Sequence, residues 1–178
     1  MTSSDFAAAK VTDASMIPVV DVSGAVNRTD IEGVAAAIYA AATNHGFFYI
    51  SGHGIDETLL EQAFAVSRDF FALPAAEKAT VAVDANQRGW MAQGMSHLAG
   101  AKTYDLKEVF FWGAETAPED PDLLAGKPLV AVNQWPSDAF PRLESELRPY
   151  YDALCDVARH VMAAVAVSLD QQVDFFEA

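Results

Sequence analysis

The run NHGFFYISGHGID, from Asn44 to Asp56, constrains the fold of this chain more than any other stretch. Gly46 follows an alanine-rich segment, and glycine most readily takes the left-handed conformation that ends a helix. The apolar residues 47–50 then predict a short strand. A turn flanked by two glycines leads to Asp56, whose side chain suits the N-cap of a new helix. The run therefore predicts a helix, a strand and a second helix in direct succession.

The segment before this run carries its own signals for a strand and a helix. Residues 16–22 are rich in β-branched side chains, and Pro18 places them at a strand start or a sheet edge. Thr29 and Glu32 match a capping box, which predicts the start of a helix. The apolar positions of that helix recur at helical spacing: Ile31, Val34, Ile38 and Ala42.

Two further helices are predicted in the rest of the chain. The first begins after Asp56 and ends before Pro74, and its expected buried residues are Leu59, Leu60, Ala63, Phe64, Phe70 and Phe71. The second is the longest, with Pro141 in its first turn and with Pro149 predicting a kink or a late start. Its expected apolar stripe is Leu143, Leu147, Tyr150, Leu154, Ala158, Val161 and Val165.

The chain between those two helices shows loop and strand signals. Residues 88–101 contain three glycines and are typical of a loop or an irregular hairpin. Residues 105–113 predict a strand in which Val109 and Phe111 point inward. We expect the charged residues of this strand, including Glu108, to form a cross-strand salt bridge.

Composition limits the class of protein. At 178 residues the chain is one domain, or one domain and part of another, and 52% apolar residues suffice for a sizeable core. A net charge of −14 argues against nucleic acid and anionic membranes as partners. The single cysteine, Cys155, excludes an intrachain disulfide and a thiolate metal cluster. The N-terminus shows no signal peptide, so we expect a cytoplasmic protein.

The four histidines do not form a recognisable iron-binding pattern. A 2-His-1-carboxylate site usually includes H-x-D, and no histidine here is followed two residues later by an acid. His45 and His53 flank glycine turns, so we expect their rings to serve those turns. A self-contained metal enzyme that uses both histidines remains a competing hypothesis.

The segment Arg88-Gly89-Trp90 is the best candidate for binding a small molecule. It places a guanidinium beside a glycine and a large ring, and such a segment can hold a substrate carboxylate through two hydrogen bonds. The alternative is an ordinary loop arginine paired with one of the many acids. We predict Arg88 and Trp90 as substrate-binding residues, and no residue as catalytic or metal-binding.

Six blocks in order carry a resemblance to a known family: IPVVDVSG (Ile17 to Gly24), NHGFFYISGHGI, FFALPAAEK, RGW, DLKEVFFWG and NQWP. From about residue 17 to 136 they resemble the N-terminal region of the iron(II)/2-oxoglutarate-dependent dioxygenases, in the isopenicillin N synthase-like branch. The resemblance implies an α+β fold: the N-terminal helical and outer-strand part of a double-stranded β-helix, or jelly roll, that is incomplete in this chain.

The resemblance also implies a division of the chain and a place for its candidate residues. We expect a flexible N-terminal tail at 1–15, the dioxygenase N-terminal domain at 16–136, and at 137–178 a long helix leading toward an absent catalytic jelly-roll half. In the family that half carries the H-x-D…H iron triad and an R-x-S pair. Arg88 and Trp90 fall near the family's substrate pocket, where relatives often have Tyr in place of Trp90.

The leading hypothesis is therefore the N-terminal part of a non-haem oxygenase that hydroxylates, desaturates or cyclises a small molecule. Iron(II) and 2-oxoglutarate are expected for the complete enzyme and neither for this chain alone, which we expect to be inactive. The alternative is a non-enzymatic binding or interaction module derived from the same family. We also expect self-association through an uncovered face of the long helix between Leu147 and Val165.

Overall fold

The computed structural model describes residues 17–97, 100 and 102–177. The flexible tail expected at 1–15 lies outside these described residues. The chain divides into two compact units: the first runs to Asp56 and resumes at Asp152, and the second is Glu57–Tyr151.

The first unit contains a small parallel sheet, two helices that follow its first strand, and the end of the long helix. Its elements before Asp56 are β1 (Val19–Asp21), α1 (Ser23–Val26), α2 (Ile31–His45) and β2 (Tyr49–Ser51). β1 and β2 pair in parallel, with Val19 opposite Tyr49. The predicted strand and helix–strand succession are confirmed, although each strand is only three residues long.

The two ends of α2 can be compared with the capping residues predicted from the sequence. Gly46 takes a φ of 81° and caps the helix, as predicted. The predicted capping box of Thr29 and Glu32 is wrong by one residue, because Asp30 is the N-cap. Its carboxylate accepts a 2.8 Å hydrogen bond from the backbone N–H of Gly33. The aspartate therefore supplies the cap that was assigned to the threonine.

The core of the first unit joins β1, α1 and α2 to the end of the long helix. Its buried residues are Val20, Val22, Ala25, Val34, Ile38, Ala41 and Ala164. Ala41 is buried and Ala42 is exposed, so the predicted last position of the α2 stripe is wrong by one residue. The buried set 34, 38 and 41 follows the four- and three-residue steps of one helix face.

The second unit contains five short elements between two long helices. They follow α3 (Glu57–Phe71) and are α4 (Ala75–Lys78), a 3-10 turn (Ala79–Val81), β3 (Gly89–Met91), β4 (Val109–Phe111) and α5 (Pro121–Leu124). β3 and β4 pair antiparallel, with Trp90 opposite Phe110. α3 begins directly after Asp56 and ends before Pro74, as the sequence predicts.

In the core of the second unit, the buried sides of α3 and β4 differ from those predicted. α3 buries Ala63, Val66 and Phe70, whereas Phe64 is 62% exposed because it lies off that stripe. On β4 it is Phe110 that packs against this core, and its ring centroid lies 5.0 Å from that of Phe70. The prediction that Val109 and Phe111 point inward is therefore wrong, since neighbouring strand residues face opposite sides.

The long helix, α6 (Arg142–Ser168), contributes to both cores. It continues through Pro149, so the predicted late start is wrong. Of the stripe predicted between Leu147 and Val165, Leu147 is buried, and Tyr150, Val161 and Val165 are half-buried. Self-association through this face stays a prediction. Leu154 is 39% exposed, and Ala158 is exposed, so neither belongs to the buried stripe. Within the described residues, no helix is both long and apolar enough to cross a membrane.

Candidate functional site

Arg88, one of the two predicted substrate-binding residues, lies directly before β3 and is bound by backbone carbonyls. Its Nη1 donates to the oxygens of Asn86 at 3.1 Å and Gln87 at 3.3 Å, and its Nη2 donates to the oxygen of Leu129 at 3.1 Å. Within the described part of the chain the side chain forms no salt bridge, so the ion pair considered as an alternative is absent there. Its Nε is buried and has no hydrogen-bond partner among the same residues.

Two of the carbonyls that hold Arg88 come from residues with unfavourable backbone conformations. Gln87 has a φ of 56° and Leu129 a φ of 66°, and both lie in the left-handed region that disfavours side chains. Such conformations cost about 1–3 kcal/mol each and often mark functional segments. The guanidinium is therefore held by two residues with unfavourable backbone conformations, and two of its five N–H groups, the one on Nε and one on Nη2, remain unused among the described residues.

Trp90, the second predicted residue, is buried and belongs to a network with Lys78 and Glu108. Its Nε1 donates to Glu108 Oε2 at 2.7 Å, and Lys78 Nζ donates to the same oxygen at 2.8 Å. The Lys78 ammonium also lies 5.2 Å from the centroid of the Trp90 ring. The expected cross-strand salt bridge of Glu108 is wrong, because its partner Lys78 is on α4. Trp90 thus has its only polar group committed to this network.

The network lowers the pKa of Glu108. Burial acts in the opposite direction and raises the pKa, but the hydrogen bonds from Lys78 and Trp90, together with the charge of Lys78, outweigh it. Glu108 is therefore a carboxylate at neutral pH. It holds its two partners in fixed positions beside β3.

A second polar network centres on Glu115 and the NQWP block. Glu115 Oε1 accepts hydrogen bonds from Asn133 at 2.8 Å and Trp135 at 3.0 Å, and lies 3.3 Å from Arg148. Burial raises the pKa of Glu115, but these hydrogen bonds and the charges of Arg148 and Arg88 lower it overall. The residues of this network were not singled out from the sequence. The clustering of polar and aromatic residues in NQWP was the available signal.

Asn133 joins this network to the backbone next to β4. Its side-chain amide bonds both the N–H and the carbonyl of Gly113, at 3.0 and 2.8 Å, as a neighbouring peptide group would. The adjacent Gln134 donates to the carbonyl of Arg88 at 2.9 Å. The NQWP block therefore fixes the position of the Arg88 segment.

His53, one of the two histidines expected to serve turns, bonds within its turn. His53 Nδ1 accepts a 3.1 Å hydrogen bond from the N–H of Ile55, which confirms its role in the turn. His45 is exposed at the last residue of α2. No group of three or more His, Cys, Asp or Glu side chains among the described residues could hold a metal ion. A facial iron site therefore does not fit the residues that the structure describes.

A family model described as the N-terminal region of the non-haem dioxygenase in morphine synthesis matches residues 17–138. The chain belongs to this dioxygenase family. This dioxygenase N-terminal region is 31% identical to azadirone synthase of Melia azedarach, covering 85% of the chain and 46% of the relative. It is 32% identical to homoarginine-6-hydroxylase of Oryza sativa subsp. japonica, covering 98% of the chain and 53% of the relative.

Solved structures of 2-oxoglutarate–iron(II) oxygenases share the fold of this dioxygenase region. A family member from Caulobacter crescentus aligns with a TM-score of 0.77 at 28% identity, over 91% of this chain and 51% of that one. A full-length protein from Neurospora crassa, solved in complex with α-ketoglutarate, aligns with a TM-score of 0.70 at 26% identity, over 90% and 49%. The described α+β structure, with its few strands, thus corresponds to the N-terminal part of the oxygenase fold.

The dioxygenase region spans about half the length of the curated relatives it matches. The residues that carried the resemblance, from Ile17 to Pro136, fall inside the matched range. The resemblance predicted from the six blocks is confirmed.

Proposed function

We propose that this chain is the N-terminal part of a non-haem iron(II), 2-oxoglutarate-dependent oxygenase that hydroxylates, desaturates or cyclises a small molecule. The observation that carries the proposal is the family match over residues 17–138, supported by the TM-score of 0.77 with an oxygenase of that class. Iron and 2-oxoglutarate would supply the oxidising chemistry of the complete enzyme. Since a facial iron site does not fit the described residues, we assign both cofactors to residues outside them.

We further propose that residues 16–136 form the dioxygenase N-terminal domain and that the helix in 137–178 leads toward a catalytic jelly-roll half. The lengths of the relatives support this division, because the chain covers 46–53% of the two curated enzymes named above. Small-molecule substrates are in keeping with the neighbouring structures, one of which holds thymine.

The substrate-binding role of Arg88 and Trp90 is also a proposal. The buried Nε of Arg88 has no partner in the described residues. The carbonyls of Gln87 and Leu129, two residues with unfavourable positive φ angles, hold the guanidinium in place. In a substrate complex the two free N–H groups would bind an acidic or carbonyl group, while the rigid Trp90 ring would border the pocket. The test is Arg88→Lys in the complete enzyme, which should raise KM about tenfold and leave kcat nearly unchanged. A loss of thermal stability with unchanged KM would assign Arg88 a structural role only.

The enzymatic proposal is tested by comparing two proteins. The 178-residue chain should show no saturable iron(II) binding at micromolar concentrations and no succinate formation from 2-oxoglutarate. Protein expressed from the complete coding sequence should bind iron and form succinate. A coding sequence that ends after Ala178, with no activity in the product, would instead favour the interaction module.

A further inference from the structure

A pocket in the first unit has no role in the function proposed above. Its volume is about 560 Å³, which is within the range of small-molecule sites. One wall is a stripe of α6 that includes Arg159 and His160. Arg28 and Ile31 lie on a second wall, and the segment 173–177 after α6 forms a third.

The pocket carries charges of both signs that lack partners in the described part of the chain. Asp156 and Arg159, three residues apart on α6, pair with each other and so neutralise one another. Arg28 forms no salt bridge there, and neither do Asp174 and Glu177 on the segment after α6. All three are exposed residues, so water solvates these charges until a ligand of complementary charge binds.

A buried nitrogen in the same wall is also unsatisfied. The Nδ1 atom of His160 is inaccessible to solvent and has no hydrogen-bond partner among the described residues. Buried polar atoms are nearly always paired, so an orphan at a pocket wall indicates an absent partner or a local rearrangement on binding. Apolar side chains provide the rest of the surface: Ala25, Ile31, Ala163 and Val173.

Two walls of the pocket contain or adjoin a non-glycine residue with an unfavourable positive φ angle. Arg28 has a φ of 57°, and Asp170, just after α6, has a φ of 56°. At the second position the N–H of Gln171 donates to the carbonyl of Ala166 at 2.9 Å, which turns the chain back at the end of the helix. Non-glycine residues in this region are uncommon and often mark binding segments.

We propose that this pocket binds a small zwitterion with an apolar body, in the class of the α-amino acids. Its carboxylate pairs with Arg28, whose guanidinium can donate two parallel hydrogen bonds. Its ammonium faces Asp174 and Glu177, and its side chain rests on the apolar residues. A simple anion is disfavoured by those two carboxylates and by the net charge of −14, and a simple amine leaves Arg28 unpaired.

Three probes with the same branched carbon body test the charge requirement by protein-observed NMR. They are L-leucine, 4-methylpentanoate, which lacks the ammonium, and 3-methylbutylamine, which lacks the carboxylate. Leucine should bind saturably in the millimolar range and at least about tenfold more tightly than either other probe. Equal binding of the three, or no saturation by leucine, would overturn the proposal without requiring any variant.

Two variants locate the binding site. Arg28→Gln and the double variant Asp174→Asn, Glu177→Gln should each weaken leucine binding about tenfold. Arg68→Gln is the matched control, because Arg68 is exposed on α3 in the second unit and should leave binding unchanged. Leucine binding that persists in both pocket variants would place the site elsewhere. Since binding is measured without turnover, the result is independent of any oxygenase activity.

Discussion

Lys78 joins three elements of the second unit, and its replacement by methionine should destabilise the protein strongly. Its buried ammonium donates 2.8 Å hydrogen bonds to Glu108 and to the carbonyl of Phe71, the last residue of α3. The second bond satisfies a carbonyl that the helix leaves without a partner, and a cation there is favoured by the helix dipole. Lys78→Met keeps the apolar stem of the side chain and removes only the charged group.

The size of the loss follows from these contacts. A hydrogen bond to a charged group contributes about 1.5–3 kcal/mol, and the variant removes two. Glu108 is 32% exposed in its side chain and can recover some hydration, so the lower end applies. We expect the free energy of unfolding to fall by about 3 kcal/mol. For a chain of this length the melting temperature should fall by about 6–12 °C.

The matched control is Lys107→Met, the same replacement at a salt bridge that is open to solvent. The side chains of Lys107 and its partner Asp105 are 53% and 35% exposed. Exposed pairs contribute about 0–1 kcal/mol, so this variant should be nearly neutral. Urea unfolding followed by tryptophan fluorescence measures both variants. Equal losses at the two positions would refute the reasoning from burial.

The pH dependence provides an independent check on the pair. The folded state lowers the pKa of Glu108, so its ionisation stabilises the fold above the unfolded pKa of about 4.3. That contribution is lost as pH falls through the lower, folded pKa. The difference between the parent protein and Lys78→Met should therefore shrink in acid, leaving mainly the bond to Phe71. A difference that stays constant from neutral pH into acid would contradict the role of Glu108.

Three other outcomes are expected. Asn133→Ala should cost about 3 kcal/mol in thermal unfolding, because it removes both bonds to Gly113 and the bond to Glu115. Gly46→Ala should cost only about 1 kcal/mol, since an added Cβ meets nothing within 4 Å and only the positive φ is unfavourable. Gly89→Ala should cost about 4 kcal/mol or more, because the new Cβ would lie 2.4 Å from the carbonyl oxygen of Val81 at a φ of 106°. Equal melting temperatures for the two glycine variants would refute this comparison.

The elements that were predicted correctly from the sequence are those whose ends are determined by neighbouring residues. Gly46 marked the end of α2, and Pro74 limited α3, because backbone geometry restricts those positions whatever the surroundings. The cap of α2 was missed by one residue because Thr29 and Asp30 are both good caps, and only the geometry selects the aspartate. On β4 the inward side was reversed, because a three-residue strand contains too little alternation to show which side is buried.

The parts of the candidate site that were missed depend on contacts between distant residues. Lys78 and Glu108 are 30 positions apart, and Asn133 and Gly113 are 20 apart. No local sequence pattern predicts either pair. The turns between the partners can be recognised in the sequence, but they do not show which distant residues will form a contact. Arg88 was identified by its residue type, but its three carbonyl partners and its unpaired Nε follow only from the folded backbone.

Four of the six blocks that carried the family resemblance contribute to the polar networks of the second unit. FFALPAAEK contains Lys78, RGW contains Trp90, and DLKEVFFWG contains Glu108, while NQWP contributes Asn133 and Trp135 to the network of Glu115. Each of these four blocks therefore supplies side chains that bind neighbouring segments of this unit. This explains how the sequence could identify the fold family without containing an iron triad in the described residues. The same networks position Arg88, so a substrate role for that residue would depend on the packing that the blocks encode.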